Sequence, residues 1–185
     1  MRQQGEALVE SHTAVELDPG SVSARRGLGW NYYYARRWDQ ARFHLERAIA
    51  MNPNAEETYR VLGHVLAVEG DYAEAERVLR EANTMPEAGT YTRATLAYAL
   101  ARAGKVEEAR HILDQLMSDA STGYVSPVAF ATVHVGLGEI DRALDWAEAA
   151  YEERRGWLAY VRVNPLMDPL RGHPRFERLV ERMKL

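Results

Sequence analysis

The chain of 185 residues contains no cysteine, which excludes disulfide bridges and thiolate metal sites. No apolar run approaches the roughly 18 residues that a membrane-spanning helix needs. The opening stretch, MRQQGEALVE, lacks the apolar centre of a secretory signal, so the expected setting is the cytoplasm. An excess of positive charge is missing too: the net charge is −4, which offers no overall attraction for nucleic acid. The six histidines include no H-x-x-x-H or H-E-x-x-H pair, so no metal site is expected. No G-x-S-x-G elbow occurs. Gly27-Leu28-Gly29 fails as a phosphate loop, because Tyr32 takes the place of the next glycine and no strand precedes it. Catalysis and cofactors therefore find no support.

What the chain does have is a period. Gly70, Gly104 and Gly138 lie 34 residues apart, and Ala41, Ala75, Ala109 and Ala143 keep the same step. Leu28, Leu62, Leu96 and Phe130 form another column, each followed by a small residue: Gly29, Gly63, Ala97 and Ala131. Leu45, Leu79, Leu113 and Ala147 form a third. A fixed period of this length predicts a solenoid whose units bury their apolar faces only by stacking on one another. Apolar residues within each unit fall at helical spacing, giving two helices per period with the glycine in the turn between them. The small residues let the paired helices approach to about 8–10 Å.

The expected architecture is all-α, a right-handed solenoid forming a single domain over residues 1–185. Residues 1–21 read as a half repeat, because Ala7, Ala14 and Pro19 are in step with Ala41, Ala48 and Pro53. Four full units follow at 22–55, 56–89, 90–123 and 124–155, and a carboxyl-terminal cap at 156–185. Beginning in mid-repeat points either to a piece cut from a longer array, the favoured reading, or to a degenerate first unit. Ser126-Pro127 should start its helix late, as N-cap and first helical residue, leaving STGYV as an irregular loop. After Glu153 the period is expected to end. A short helix, a proline-punctuated turn and a final helix from about Pro174 should follow, with Phe176, Leu179, Val180 and Met183 as its apolar stripe.

These columns resemble the tetratricopeptide repeat. Its pattern of Leu-Gly, an aromatic or Leu three residues on, a turn glycine, Ala and a closing Pro is matched closely by the unit ending at Pro53, where Arg36 stands at the turn position, and the likeness covers residues 1–155. It implies a helical-hairpin superhelix that holds partner proteins in its concave groove. The ending AYEERRGWLAYVRVNPLMDPLRGHPRFERLVERM is similar to that of such repeats in bacterial signalling proteins. Chaperone-binding members clamp a terminal carboxylate with Lys, Asn and Arg from successive first helices. The matching sites here hold Arg26 and Trp30, Val61, and Tyr91 and Thr95, so that clamp is not reproduced.

First helices should line the groove. Their faces away from the packing columns carry Arg26, Trp30, Tyr33, Tyr34, Arg60, His64, Tyr91, Tyr98 and Arg102. An aromatic and cationic wall suits a protein or peptide with apolar and acidic side chains, since rings offer area at little entropic cost and arginine pairs with carboxylates. Alternatively, Trp30 and Tyr33 pack against the first helix that the half repeat lacks. The fourth unit offers Val128, Thr132 and Val135, an apolar face for the tail to cover. His134, in the column of Tyr32, Leu66 and Leu100, is expected to be packed and hydrogen-bonded. Residues 1–153 hold 15 basic against 24 acidic side chains, and residues 154–185 hold 8 against 3. The tail arginines should therefore pair with acidic neighbours on the preceding repeat. The runner-up function is self-assembly as a homodimer through the open half repeat; neither nucleic acid nor membrane is an expected partner.

Overall fold

A computed structural model describes residues 2–153 and 161–183, all helical or irregular, with no strand among them. They fall into two compact units, Met1–Ala88 and Gly89–Leu185. Unit 1 holds α1 (Arg2–Leu17), α2 (Val22–Tyr34), α3 (Trp38–Met51), α4 (Glu56–Glu69) and α5 (Tyr72–Asn83). Unit 2 holds α6 (Thr90–Arg102), α7 (Val106–Thr122), α8 (Pro127–Gly136), α9 (Ile140–Glu152), a 3-10 helix (Pro165–Leu170) and α10 (Pro174–Arg182). The pairs α2/α3, α4/α5, α6/α7 and α8/α9 are the expected hairpins, and α1 packs on α2 as a second helix without its own first.

The turns follow the period. Gly70, Gly104 and Gly138 have φ of 86°, 83° and 75°, the left-handed region that costs a Cβ-bearing residue about 1–2 kcal/mol. The first hairpin meets the same need with Arg36, at φ 58°. Side-chain caps start several helices: Ser21 accepts from the Ala24 amide, Asp71 from Glu74 and Ser126 from Val128.

The small columns have a direct geometric cause. A Cβ placed on Gly29 would lie 2.7 Å from Leu45 Cγ, and one on Gly63 would lie 2.5 Å from Leu79 Cγ. In these two hairpins the leucine of the second helix thus enters a notch in the first. In the fourth repeat the columns read Ala131 and Ala147, and Phe130 stacks on Trp146 at 4.4 Å instead. Gly136 has a different use. Its Cβ would meet Tyr98 Cα at 2.7 Å, so only glycine lets the end of α8 press on the α6 backbone.

Two expectations need correction. The loop before Pro127 is shorter than STGYV, because α7 continues through Ser121 and Thr122 and only the three residues 123–125 with the cap Ser126 are irregular. Gly123 then leaves the helix in extended backbone. The period does not stop at Glu153: Gly172, 34 residues after Gly138, has φ 78°, and α10 starts at Pro174, in step with Ile140 of α9. The cap keeps the turn and the second-helix start of a fifth unit. The proline-bearing Pro165–Leu170 packs on α8 and α9 as a 3-10 helix, because Pro169 cannot donate an α-helical hydrogen bond. The short helix expected in RRGWLAYVRV falls mostly on 154–160, outside the described residues, and residues 161–163 form a turn.

Candidate functional site

Unit 1 gathers most of the expected groove residues around one ring. Trp30 stacks on Tyr33 at 5.1 Å and 9°, meets Tyr34 edge-on at 5.0 Å and lies 5.3 Å from His64 on α4. Trp30 is half-buried. The spacing of three residues places Tyr33 beneath it in the same helix. Two cations flank the cluster. Arg26 Nη2 lies 3.0 Å from one oxygen of Glu57, and Arg60 Nη2 lies 3.1 Å from the other. One carboxylate therefore holds a guanidinium from each first helix and leaves an excess of one positive charge. Burial, and then the charge of Arg60, drive the His64 pKa well below 6.5. Its ring is neutral at pH 7 and adds nothing to that charge.

The expected wall is corrected in its exposure. Tyr33 is 0% exposed, Tyr34 7% and His64 8%, so these rings support Trp30 from beneath and present no face to a ligand. The reason is local: Tyr33 also meets Tyr34, Trp38 and His64 within 5.9 Å. Burial of Tyr33 thus needs no missing helix of the half repeat. Arg26, Trp30 and Arg60 keep partial access. Sequence reasoning missed Glu57, whose available signal was its place three residues before Arg60 on α4.

In unit 2 the same positions diverge. Tyr91 is 40% exposed, and its hydroxyl donates to Ser126 Oγ at 3.0 Å, tying α6 to the cap of α8. Tyr98 is buried against Gly136, whereas Arg102 is exposed at the end of α6. Val128, Thr132 and Val135 are buried, and α8 packs against the 3-10 helix of the cap, as the apolar face of the fourth unit implied.

His134 is 4% exposed and its Nδ1 donates to Glu139 Oε2 at 2.7 Å, the role that a carboxylate acceptor imposes. Burial lowers the His134 pKa despite the opposing pull of Glu139. Burial pushes Glu139 up, but hydrogen bonds from Arg110 and His134 together carry it below the usual carboxylate value. The tail cations are matched as expected: Arg175 binds Asp145 at 2.6 Å and Glu148 at 2.9 Å, and Arg182 binds Glu152 at 2.8 Å. No group of three or more acidic or histidine side chains able to hold a metal occurs among the described residues. No helix there is long and apolar enough to cross a membrane.

Helical hairpins at a 34-residue step, each turning on a left-handed residue (Arg36, Gly70, Gly104 or Gly138), define a helical-repeat scaffold. Family models for the tetratricopeptide repeat match residues 26–89 and 66–125, together more than half of the chain. The chain belongs to that family, whose members serve in general as scaffolds that bind peptides or proteins. No curated protein matches the sequence.

Solved structures show the same fold. A thermophilic TPR protein of Thermus thermophilus is 17% identical over 98% of this chain and 91% of its own, with a TM-score of 0.65. YrrB, a TPR protein with an unusual peptide-binding site, is 21% identical over 100% of this chain and 85% of its own, at 0.53. A chain of the APC/C hetero-tetramer Cut9–Hcn1 is 14% identical over 97% of this chain but only 36% of its own, at 0.64; this chain spans about a third of it.

Proposed function

We propose that the protein is a non-catalytic cytoplasmic interaction module that binds a peptide or protein segment bearing apolar and acidic side chains on the first helices of unit 1. The observation that carries this reading is the convergence of Arg26 and Arg60 on Glu57 beside the half-buried ring of Trp30. Each guanidinium keeps N–H donors that Glu57 does not use. An incoming carboxylate takes those donors while an apolar side chain covers the indole. The buried Tyr33, Tyr34 and His64 hold that indole in place, so little side-chain entropy is lost on binding. In unit 2, Tyr91 and Arg102 are the expected groove residues with access to a ligand, whereas Tyr98 is buried. The peptide-binding site in the name of YrrB, a protein of like fold, lends this reading support.

The test is capture from a cell lysate with the native protein beside a Trp30→Ala, Arg60→Glu double variant whose melting curve shows it folded. A partner retained only by the native protein supports the site. Equal retention by both, or none by either, removes it. Self-assembly is a second reading, favoured by Val9 and Leu17 on α1, 66% and 83% exposed. It requires a mass in light scattering that rises with concentration and that Leu17→Glu abolishes.

A further inference from the structure

A second surface of unit 1 shares no residue with the Trp30 cluster. The turn after α1, the start of α2 and the outer face of α3 border a hollow of about 610 Å³ formed by Pro19, Arg25, Phe43, Glu46, Arg47 and Met51. Its apolar side chains are open to solvent, with Phe43 51% and Met51 39% exposed. Its cations have no carboxylate partner among the described residues. Elsewhere in unit 1, Arg26, Arg42, Arg60, Arg77 and Arg80 each face a glutamate. Arg47 lies over the Phe43 ring at 5.2 Å and has no ion pair among the described residues. Arg25 gives one Nη2 bond to the Pro19 carbonyl at 3.2 Å, while its enclosed Nε has no acceptor. Glu46, the acid on the rim, is matched by Arg42 at 2.8 Å.

The uncompensated charge is felt nearby. His44, whose ring meets Phe43 edge-on at 5.1 Å, has its pKa lowered first by burial and then by the charges of Arg25, His12 and Arg47. A carboxylate supplied from outside would relieve that repulsion and neutralise the site through the outer guanidinium N–H groups of Arg25 and Arg47. An adjacent apolar side chain would remove Phe43 and Met51 from water.

We propose that this hollow docks an acidic-apolar segment of a partner protein, with an Asp or Glu side chain held by Arg25 and Arg47 and a bulky apolar neighbour laid on Phe43 and Met51. It is a site separate from the Trp30 surface, so the two can be occupied together.

The experiment is a titration of the full chain, followed by amide chemical shifts, with the acetylated and amidated hexapeptide Ser-Asp-Leu-Glu-Leu-Ser. Amidation removes the terminal carboxylate, so side-chain acids alone are tested. The expected result is saturable shifts at Phe43, Arg47 and Met51, an affinity about tenfold or more weaker in Arg47→Glu, and an unchanged affinity in Arg60→Glu. Met51→Ser, at an exposed position, should also weaken binding with no change in melting temperature, which separates loss of the site from loss of fold. The proposal is overturned if shifts do not saturate by about 5 mM peptide, or if a peptide with lysine in place of both acids binds equally. It is also overturned if Arg60→Glu rather than Arg47→Glu abolishes binding, or if shifts on dilution without peptide show that the hollow holds a second copy of the chain.

Discussion

α2 and α8 hold the same place in their repeats, yet α2 keeps Arg26 and Trp30 within reach of solvent while every residue of α8 from Pro127 to Gly136 is buried. Their packing columns agree: Leu28 with Gly29 in one, Phe130 with Ala131 in the other. The opposite faces do not. Where α2 carries Arg26, Trp30, Tyr33 and Tyr34, α8 carries Val128, Thr132, Val135 and Gly136 at the same steps, and the 3-10 helix of the cap packs on it. A repeat position stays accessible or becomes core according to whether a neighbour covers it.

The comparison can be broken most severely through what the two repeat types share. Ala75 is fully buried at a helix contact, and Ala75→Trp should wedge α4 from α5, costing at least about 3 kcal/mol and abolishing cooperative unfolding in urea. Next, Leu166→Ala in the cap, where the leucine is 1% exposed, should cost about 2–5 kcal/mol. Trp30→Ala should cost only about 1–2 kcal/mol, because its ring is half in water already. If the two urea midpoints fall equally, the face of α2 is core like that of α8.

Acid sharpens the comparison. The folded pKa of His64 lies well below 6.5, so as pH falls the unfolded chain takes up the proton first. Stability is then full above about pH 7 and lost below about 6.5, at up to about 1.4 kcal/mol per pH unit. His134 follows the same sign, but Glu139 opposes its shift. Replacing His64 with Gln should therefore flatten the fall in melting temperature between pH 7 and 5 more than replacing His134 does; the reverse order would place the stronger desolvation in unit 2. The smallest effect concerns the turns. Arg36→Gly should raise stability by about 0.5–1 kcal/mol, since glycine relieves the left-handed cost, whereas Gly138→Ala should lower it by about 1 kcal/mol. Paired thermal melts decide both.

Much of this fold was legible in the residues. The turn glycines, the leucine that enters each glycine notch, the Ser126-Pro127 helix start and the pairing of Arg175 and Arg182 with the preceding repeat all rest on spacing or on short-range chemistry. The site was legible in part. That Trp30, Tyr33 and Tyr34 belong to the face opposite the packing column follows from helical geometry. Which ring is outermost does not, because residues three and four apart share a face and the choice depends on where α4 sets His64. Glu57 and the hollow beside Phe43 escaped notice for a related reason: the first works by bridging two helices, and the second lies on α3, outside the first helices where a ligand surface was sought. Gly172 was in step all along, but the residues around it match none of the packing columns.

The sequence by itself determined the all-α repeat, the length of its hairpins, the places of their turns and the residues that must be small. Each is a consequence of the 3.6-residue helical period and of contacts within one hairpin. Only the tertiary structure decided which side chains on a first helix remain accessible, which arginines find a carboxylate, and that the 3-10 helix of the cap packs over α8. Exposure and charge compensation depend on partners roughly 30 residues away, as Arg26 depends on Glu57 and Arg175 on Glu148; a periodic pattern places such residues on a helix but does not choose their neighbours.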